Sequence, residues 1–138
     1  MPVFKDADEV YRYIGGIFEA AIADPEIGPK TKEAGLSMRF QYTEPDSVLF
    51  IDFASGSVFV GDAVPDTEPK LRLAMAADDA HRFWLGQLNL VMAIAKGKVR
   101  VKGPVPEMLK LLPLAKPLYG RYRQILAADG RDDLLAAG

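Results

Sequence analysis

LRLAMAADDAHRFWLGQLNLVMAIAKGKVRVKGPVPEMLKLL, residues 71–112, decides the fold class because its apolar period changes three times. Leu71, Leu73 and Met75 alternate with Lys70, Arg72 and Ala74, the period of a half-buried strand. Helical spacing takes over at Ala77. Asp78 or Asp79 is expected to cap a helix that carries Phe83 and Trp84 and closes at Gly86. A second short helix carries Leu88, Val91, Met92 and Ala95 and closes at Gly97. The period returns to two where Val99 and Val101 alternate with Lys98, Arg100 and Lys102, a strand that Gly103-Pro104 ends. Met108 to Leu112 then reads as a short apolar helix.

Outward from this stretch the same reasoning continues. Pro113 and Pro117 would break a helix interior, so a last helix starts near one of them and runs to about Asp129; residues 130–138 are expected to be a loose tail. Upstream, Val10, Tyr13, Ile14, Ile17, Phe18 and Ala21 form one apolar stripe of a helix over residues 6–23, which Asp24-Pro25 stops. A short helical turn follows through Lys32 and Glu33 to Gly35. Leu36, Met38, Phe40 and Tyr42 alternate with polar residues as a first strand. Val48 to Phe53 is a central strand, and Val58 to Val60 a third. Short turns between these three favour an antiparallel meander. The fold class is α+β: a five-stranded, mainly antiparallel sheet with helices covering one face. Arg39, Lys70, Arg72, Lys98, Arg100 and Lys102 share the other phase, so pairing of their strands makes the outer face basic.

Length and composition set the limits. The 138 residues fit one domain, residues 1–138, able to bury about 70% of its unfolded surface. No apolar run approaches the roughly 18 residues needed to cross a bilayer. Met1 to Glu9 lacks the apolar core of a signal peptide, and there is no cysteine, so a cytoplasmic protein is expected. The net charge of −2 hides an asymmetry: residues 1–95 carry −7 and residues 96–131 carry +7. Either the basic third meets an anionic partner, or it is a solvated face balanced by the acidic half.

The search for chemistry finds little. His81 is the one histidine, and without cysteine a zinc site is not expected; it reads as a surface or helix-packing residue. There is no G-x-S-x-G elbow, no Walker pattern and no dinucleotide fingerprint. The residues between the cations of the fifth strand are valines rather than aromatics, so no nucleic-acid partner is expected. Asp52 interrupts an apolar strand; it either pairs with Arg39 or Lys70 on the outer face or acts as a general base. Apolar material crowds the short elements of residues 83–119, which suits a plain core as well as a pocket.

Residues 71–112 also resemble the sterol carrier protein-2 (SCP-2 type) sterol-binding family. The likeness lies in an apolar strand, an acidic helix start, Gly86-x-Leu88-Asn89, Ala93, Gly97-Lys98, the strand Val99 to Lys102, Gly103 and an apolar helix. The resemblance implies an apolar tunnel between sheet and helices and non-covalent binding of fatty acid, fatty acyl-CoA, phospholipid or sterol, with no catalysis and no cofactor. Carried over by position, it implies walls from Phe83, Trp84, Leu88, Val91, Met92, Met108, Leu111 and Leu112. A basic rim of Lys98, Lys102 and Lys110 would meet an anionic headgroup or, transiently, an anionic membrane. Two departures stand out: Pro104 and Pro106 occupy a helix start, and Leu134 to Gly138 lacks the Ser-Lys-Leu type tail of peroxisomal members. The competing readings are a ketosteroid-isomerase-like enzyme using Asp52 as base, and an interaction module presenting its basic sheet.

Overall fold

The computed structural model describes residues 2–136. Helix α1, Ala7–Ala23, buries the stripe expected from its spacing: Val10, Tyr13, Ile14, Ile17, Phe18 and Ala21. Asp6 caps it by accepting from the Glu9 N–H at 3.0 Å, and the Glu9 carboxylate reaches back to the Lys5 N–H at 2.7 Å. Asp24 then stops the helix. Its carboxylate accepts from the N–H groups of Glu26 (2.8 Å) and Ile27 (2.9 Å) and turns the chain into α2, Ile27–Ala34. Gly28 permits that turn, because a Cβ there would lie 2.3 Å from the Ile22 carbonyl oxygen.

The sheet comprises β1 (Ser37–Thr43), β2 (Ser47–Asp52), β3 (Ser57–Val60), β4 (Leu71–Ala76) and β5 (Arg100–Lys102), in the order β3-β2-β1-β4-β5. The pairs β1–β2 and β2–β3 are antiparallel, as the short turns predict, and β4–β5 is antiparallel across the two helices that separate those strands. At the centre β1 and β4 run parallel, so the sheet is mixed and mostly antiparallel. Their register sets Met38 beside Leu71, Phe40 beside Leu73 and Tyr42 beside Met75 on the inner face. It sets Arg39 beside Arg72, and β5 adds Lys102 beside Arg72, on the outer face. The fifth strand starts later than its alternation suggests. The Lys98 N–H is bound to the Ala93 carbonyl at 2.9 Å, which holds Lys98 in the turn after a helix.

Helix α3, Ala77–Trp84, follows β4 without a loop. Neither aspartate caps it. Asp78 instead accepts from the Val3 N–H at 3.0 Å, and Asp79 pairs with Arg82 at 2.7 Å. Asp52 likewise forms no ion pair among the described residues; its carboxylate accepts from the N–H groups of Ala54 (3.1 Å) and Ser55 (3.3 Å) and builds the turn after β2. Helices α4 (Leu90–Ala95), α5 (Val105–Leu109) and α6 (Leu112–Ala115) are each little more than one turn. Helix α7, Leu118–Ala128, begins directly after Pro117, which fixes its φ in the helical range.

The expected loose tail is a correction. Residues Asp132–Ala136 form α8, which buries Leu134, and only Ala137 and Gly138 of that tail lie outside the described residues. Arg131 holds the segment down through Glu9 at 2.6 Å and the Tyr13 hydroxyl at 3.1 Å, partners more than a hundred residues away. No local pattern around residue 131 announces such contacts.

Two glycines give opposite expectations for one substitution. Gly28→Ala meets backbone and should lower the unfolding free energy by about 1–3 kcal/mol. Gly16→Ala, in mid-helix with nothing within 4 Å of the new Cβ, should raise it by about 1 kcal/mol. Urea denaturation of both variants checks the pair.

Candidate functional site

Between the inner face of the sheet and the helices lies an apolar cavity of about 100 Å³. Its floor is Met38, Phe40 and Tyr42 of β1, Leu73 and Met75 of β4, and Phe53 beyond β2. Phe18 and Ala21 of α1, with Ile27 and Thr31 of α2, form one wall; Ala80, Phe83 and Trp84 of α3 form another. The cover comes from Leu90 of α4, Met108 of α5, Leu111 to Ala115 without Pro113, and Leu118 of α7. Aromatic edges brace the walls. Trp84 meets Phe18 at 5.4 Å and 86°, and Phe83 meets Tyr119 at 5.9 Å and 85°.

Polar groups are sparse in this lining. The Thr31 hydroxyl donates to the Gly28 carbonyl at 2.8 Å and is spent there. Tyr42 is buried, and burial raises its pKa far above the ordinary tyrosine range, so its hydroxyl keeps its proton and stays neutral. Among the described residues, no carboxylate, lysine or histidine lines the space. Asp52 lies outside it, at the β2 turn, and is not placed to act as a base toward anything held within.

Of the residues expected as walls, Phe83, Trp84, Met108, Leu111 and Leu112 line the cavity, and Leu88, Val91 and Met92 do not. Val91 and Met92 are 53% and 50% exposed. Helix α4 reads LVMAIA, apolar on every side, so spacing alone cannot choose its buried face. The choice falls to Asn89, whose side chain caps the Met92 N–H at 3.1 Å, and to Ala93, the helix's one buried residue. The floor residues of β1 and β4 were missed as lining, although their alternation marks them as inward. Among the cations, Lys110 is exposed between Met108 and Leu111 on the cavity's cover. Lys98 is exposed in its turn, and Lys102 belongs to the outer face.

The SCP-2 sterol transfer family matches residues 17–116, most of the chain and nearly all of the cavity. The chain belongs to the SCP-2 sterol transfer family. Solved structures agree on the fold. Sterol carrier protein 2 from Yarrowia lipolytica, in its apo form, superposes with a TM-score of 0.65 at 18% identity, over 86% of this chain and 98% of that one. Sterol carrier protein-2 from Aedes aegypti, in complex with palmitate, gives 0.58 at 22% identity, over 81% and 96%. In sequence, hydroxysteroid dehydrogenase-like protein 2 of Mus musculus is 30% identical over 78 residues, 56% of this chain. The match spans 16% of that relative's length.

This SCP-2 chain fixes its frame through its only histidine. His81 is fully buried on α3. Its Nε2 lies 2.8 Å from the Leu134 carbonyl, which can only accept, so Nε2 carries the proton; Nδ1, 2.8 Å from the Tyr122 hydroxyl, therefore accepts from it. One neutral imidazole thus joins α3, α7 and α8. Burial holds its pKa below the ordinary 6.5, so the unfolded chain takes up the proton first. This contribution to stability is complete above pH 6.5 and is lost as pH falls from there toward the lowered folded-state value. With one histidine in the chain, unfolding free energy should drop between pH 7 and 5.5 by up to about 1.4 kcal/mol per pH unit. His81→Gln should flatten that slope. Urea midpoints at three pH values measure it.

Proposed function

We propose that the chain binds a single-chain lipid in this cavity without covalent chemistry and carries it between aqueous and membrane surroundings in the cytoplasm. The observation that carries the reading is the nearly all-apolar lining, floored by a rigid sheet and covered by short helices. Membership of a sterol transfer family and the palmitate complex of the Aedes aegypti relative support it.

Magnitudes define what loading requires. Each methylene taken from water contributes about 0.8 kcal/mol, so ten contribute about 8 kcal/mol, equivalent to roughly micromolar affinity before costs. Ligand pockets usually measure about 300–1,000 Å³. The cavity of about 100 Å³ is smaller, so a long chain enters only as the cover parts. That cover is weakly anchored: α4, α5 and α6 bury one residue each, Ala93, Met108 and Ala115. In this reading Lys98 and Lys110 meet the headgroup or an anionic membrane at the mouth, by roughly 1 kcal/mol per cation.

Lipid extraction and mass spectrometry of the purified protein test the reading directly; fatty acid or another single-chain lipid should be found, and a clean apo protein that binds no fluorescent acyl probe would overturn it. Ala115→Phe should fill the cavity, weaken acyl-probe binding at least tenfold and leave thermal stability unchanged or higher. Lys98→Glu with Lys110→Glu should slow transfer to anionic vesicles at low salt and leave transfer to neutral vesicles unchanged, as read by a fluorescent-lipid transfer assay.

A further inference from the structure

The outer face of the sheet carries a second concavity, of about 500 Å³, that the lipid reading leaves unused. It is lined by Arg39 and Gln41 of β1, Arg72 and Ala74 of β4, and Arg100 and Lys102 of β5. Two rows cross the strands in register: Arg39–Arg72–Lys102, and Gln41–Ala74–Arg100. The small Ala74 leaves the hollow between the flanking long side chains.

We propose that this cleft binds a small, soluble polyanion bearing two or more phosphate groups, held by Arg39, Arg72, Arg100 and Lys102. Like charges placed directly opposite on neighbouring strands destabilise a sheet, so a row of three cations needs a reason. Protection of a sheet edge explains cations on β5, the edge strand, but not Arg39 and Arg72 on the interior strands β1 and β4. One carboxylate answers the row. Glu68 takes two bonds from Arg72, at 3.2 and 2.9 Å, and its own acidity is strengthened first by Arg72 and then by Lys102 and Arg39. Arg72 stands in register between Arg39 and Lys102, so the cation that Glu68 pairs with is the middle one of the row. Arg39, Arg100 and Lys102 have no ion pair among the described residues.

The shape selects the class of ligand. Arginine forks suit phosphate oxygens, and four cations around one hollow suit more than one phosphate. The lining holds no aromatic side chain on which the bases of a nucleic-acid strand would stack. A concave site flanked by cations does not lie flat on a bilayer. The sheet stands between this cleft and the apolar cavity, so the headgroup of a lipid bound there does not reach it.

Titration calorimetry at low and moderate salt with inorganic pyrophosphate, and with inorganic phosphate for comparison, tests the assignment. One pyrophosphate should bind at least tenfold more tightly than phosphate. In wild-type protein the perturbed backbone amides should be those of β1, β4 and β5. Arg39→Gln with Arg72→Gln should weaken binding at least tenfold, while Glu68→Gln, which removes the competing carboxylate, should tighten it severalfold. Acyl-probe binding should be the same in all three proteins, so failure of the lipid reading leaves the pyrophosphate result legible. The assignment is overturned by absence of saturable binding, by amide shifts spread over the helical side, by a Glu68→Gln effect of the opposite sign, or by phosphatidylglycerol vesicles that hold this face and are not displaced by pyrophosphate. The wild-type shift map and the Glu68→Gln variant decide the matter even where the double arginine variant fails to fold.

Discussion

The parallel pairing of β1 with β4 is the constraint on which both faces of this molecule depend. Met38, Phe40 and Tyr42 meet Leu71, Leu73 and Met75 on one side, and Arg39 meets Arg72 on the other. Because side chains alternate along a strand, a register slip of one residue would turn apolar side chains to water and arginines into the core. The apolar set is nearly fully buried, so the cost of a slip runs to several side chains at about 1.5–3 kcal/mol each. The inner hollow and the outer charge row are two consequences of one register, and neither can be moved without the other.

The cavity exists because the cover cannot fill the space above that register. Interiors normally pack to crystal-like density, and continuous helices achieve this with interdigitating side chains. Here residues 90–115 hold three short helices; Gly97, β5 and Gly103-Pro104 separate α4 from α5, and Pro113 sits in the first turn of α6. Each piece sets one small or flexible side chain into the core, Ala93, Met108 or Ala115, and leaves its larger leucines half-buried around the void. The same breaks that prevent filling lower the cost of moving any one piece.

How much of this was legible follows from the range over which each feature is determined. Helix α1 and strands β1 and β4 are set by spacing over two or more periods, and their buried faces match the alternation in the chain. The SCP-2 resemblance of residues 71–112 fell inside the stretch the family matches. Strand order was not legible, because the β1–β4 pairing joins residues separated by a hairpin and a ten-residue connection. Helix α4 was assigned the wrong face because a six-residue apolar segment has no period to read. The docking of residues 131–136 was invisible because Arg131 answers Glu9 and Tyr13, and the Leu134 carbonyl answers His81. Asp52 was legible as a polar interruption and Asp78 as a candidate cap, but their actual donors were not, since the N–H groups of Ala54, Ser55 and Val3 are brought to them only by the folded chain.

These long-range ties also decide where the molecule can open. His81 joins α3, α7 and α8 through two bonds of 2.8 Å, and Arg131 fastens the start of α8 to α1 through Glu9 and Tyr13. Lifting α7 or α8 would leave the buried imidazole and the Tyr122 hydroxyl without partners, at about 1–3 kcal/mol for each unsatisfied group. Lifting α4, α5 or α6 exposes one buried residue apiece and breaks no buried side-chain hydrogen bond among the described residues. The least costly enlargement of the cavity is therefore on the α4–α6 side. The half-exposed Val91 and Met92 already stand at that side, and a hydrocarbon chain entering there would meet apolar surface before it left water.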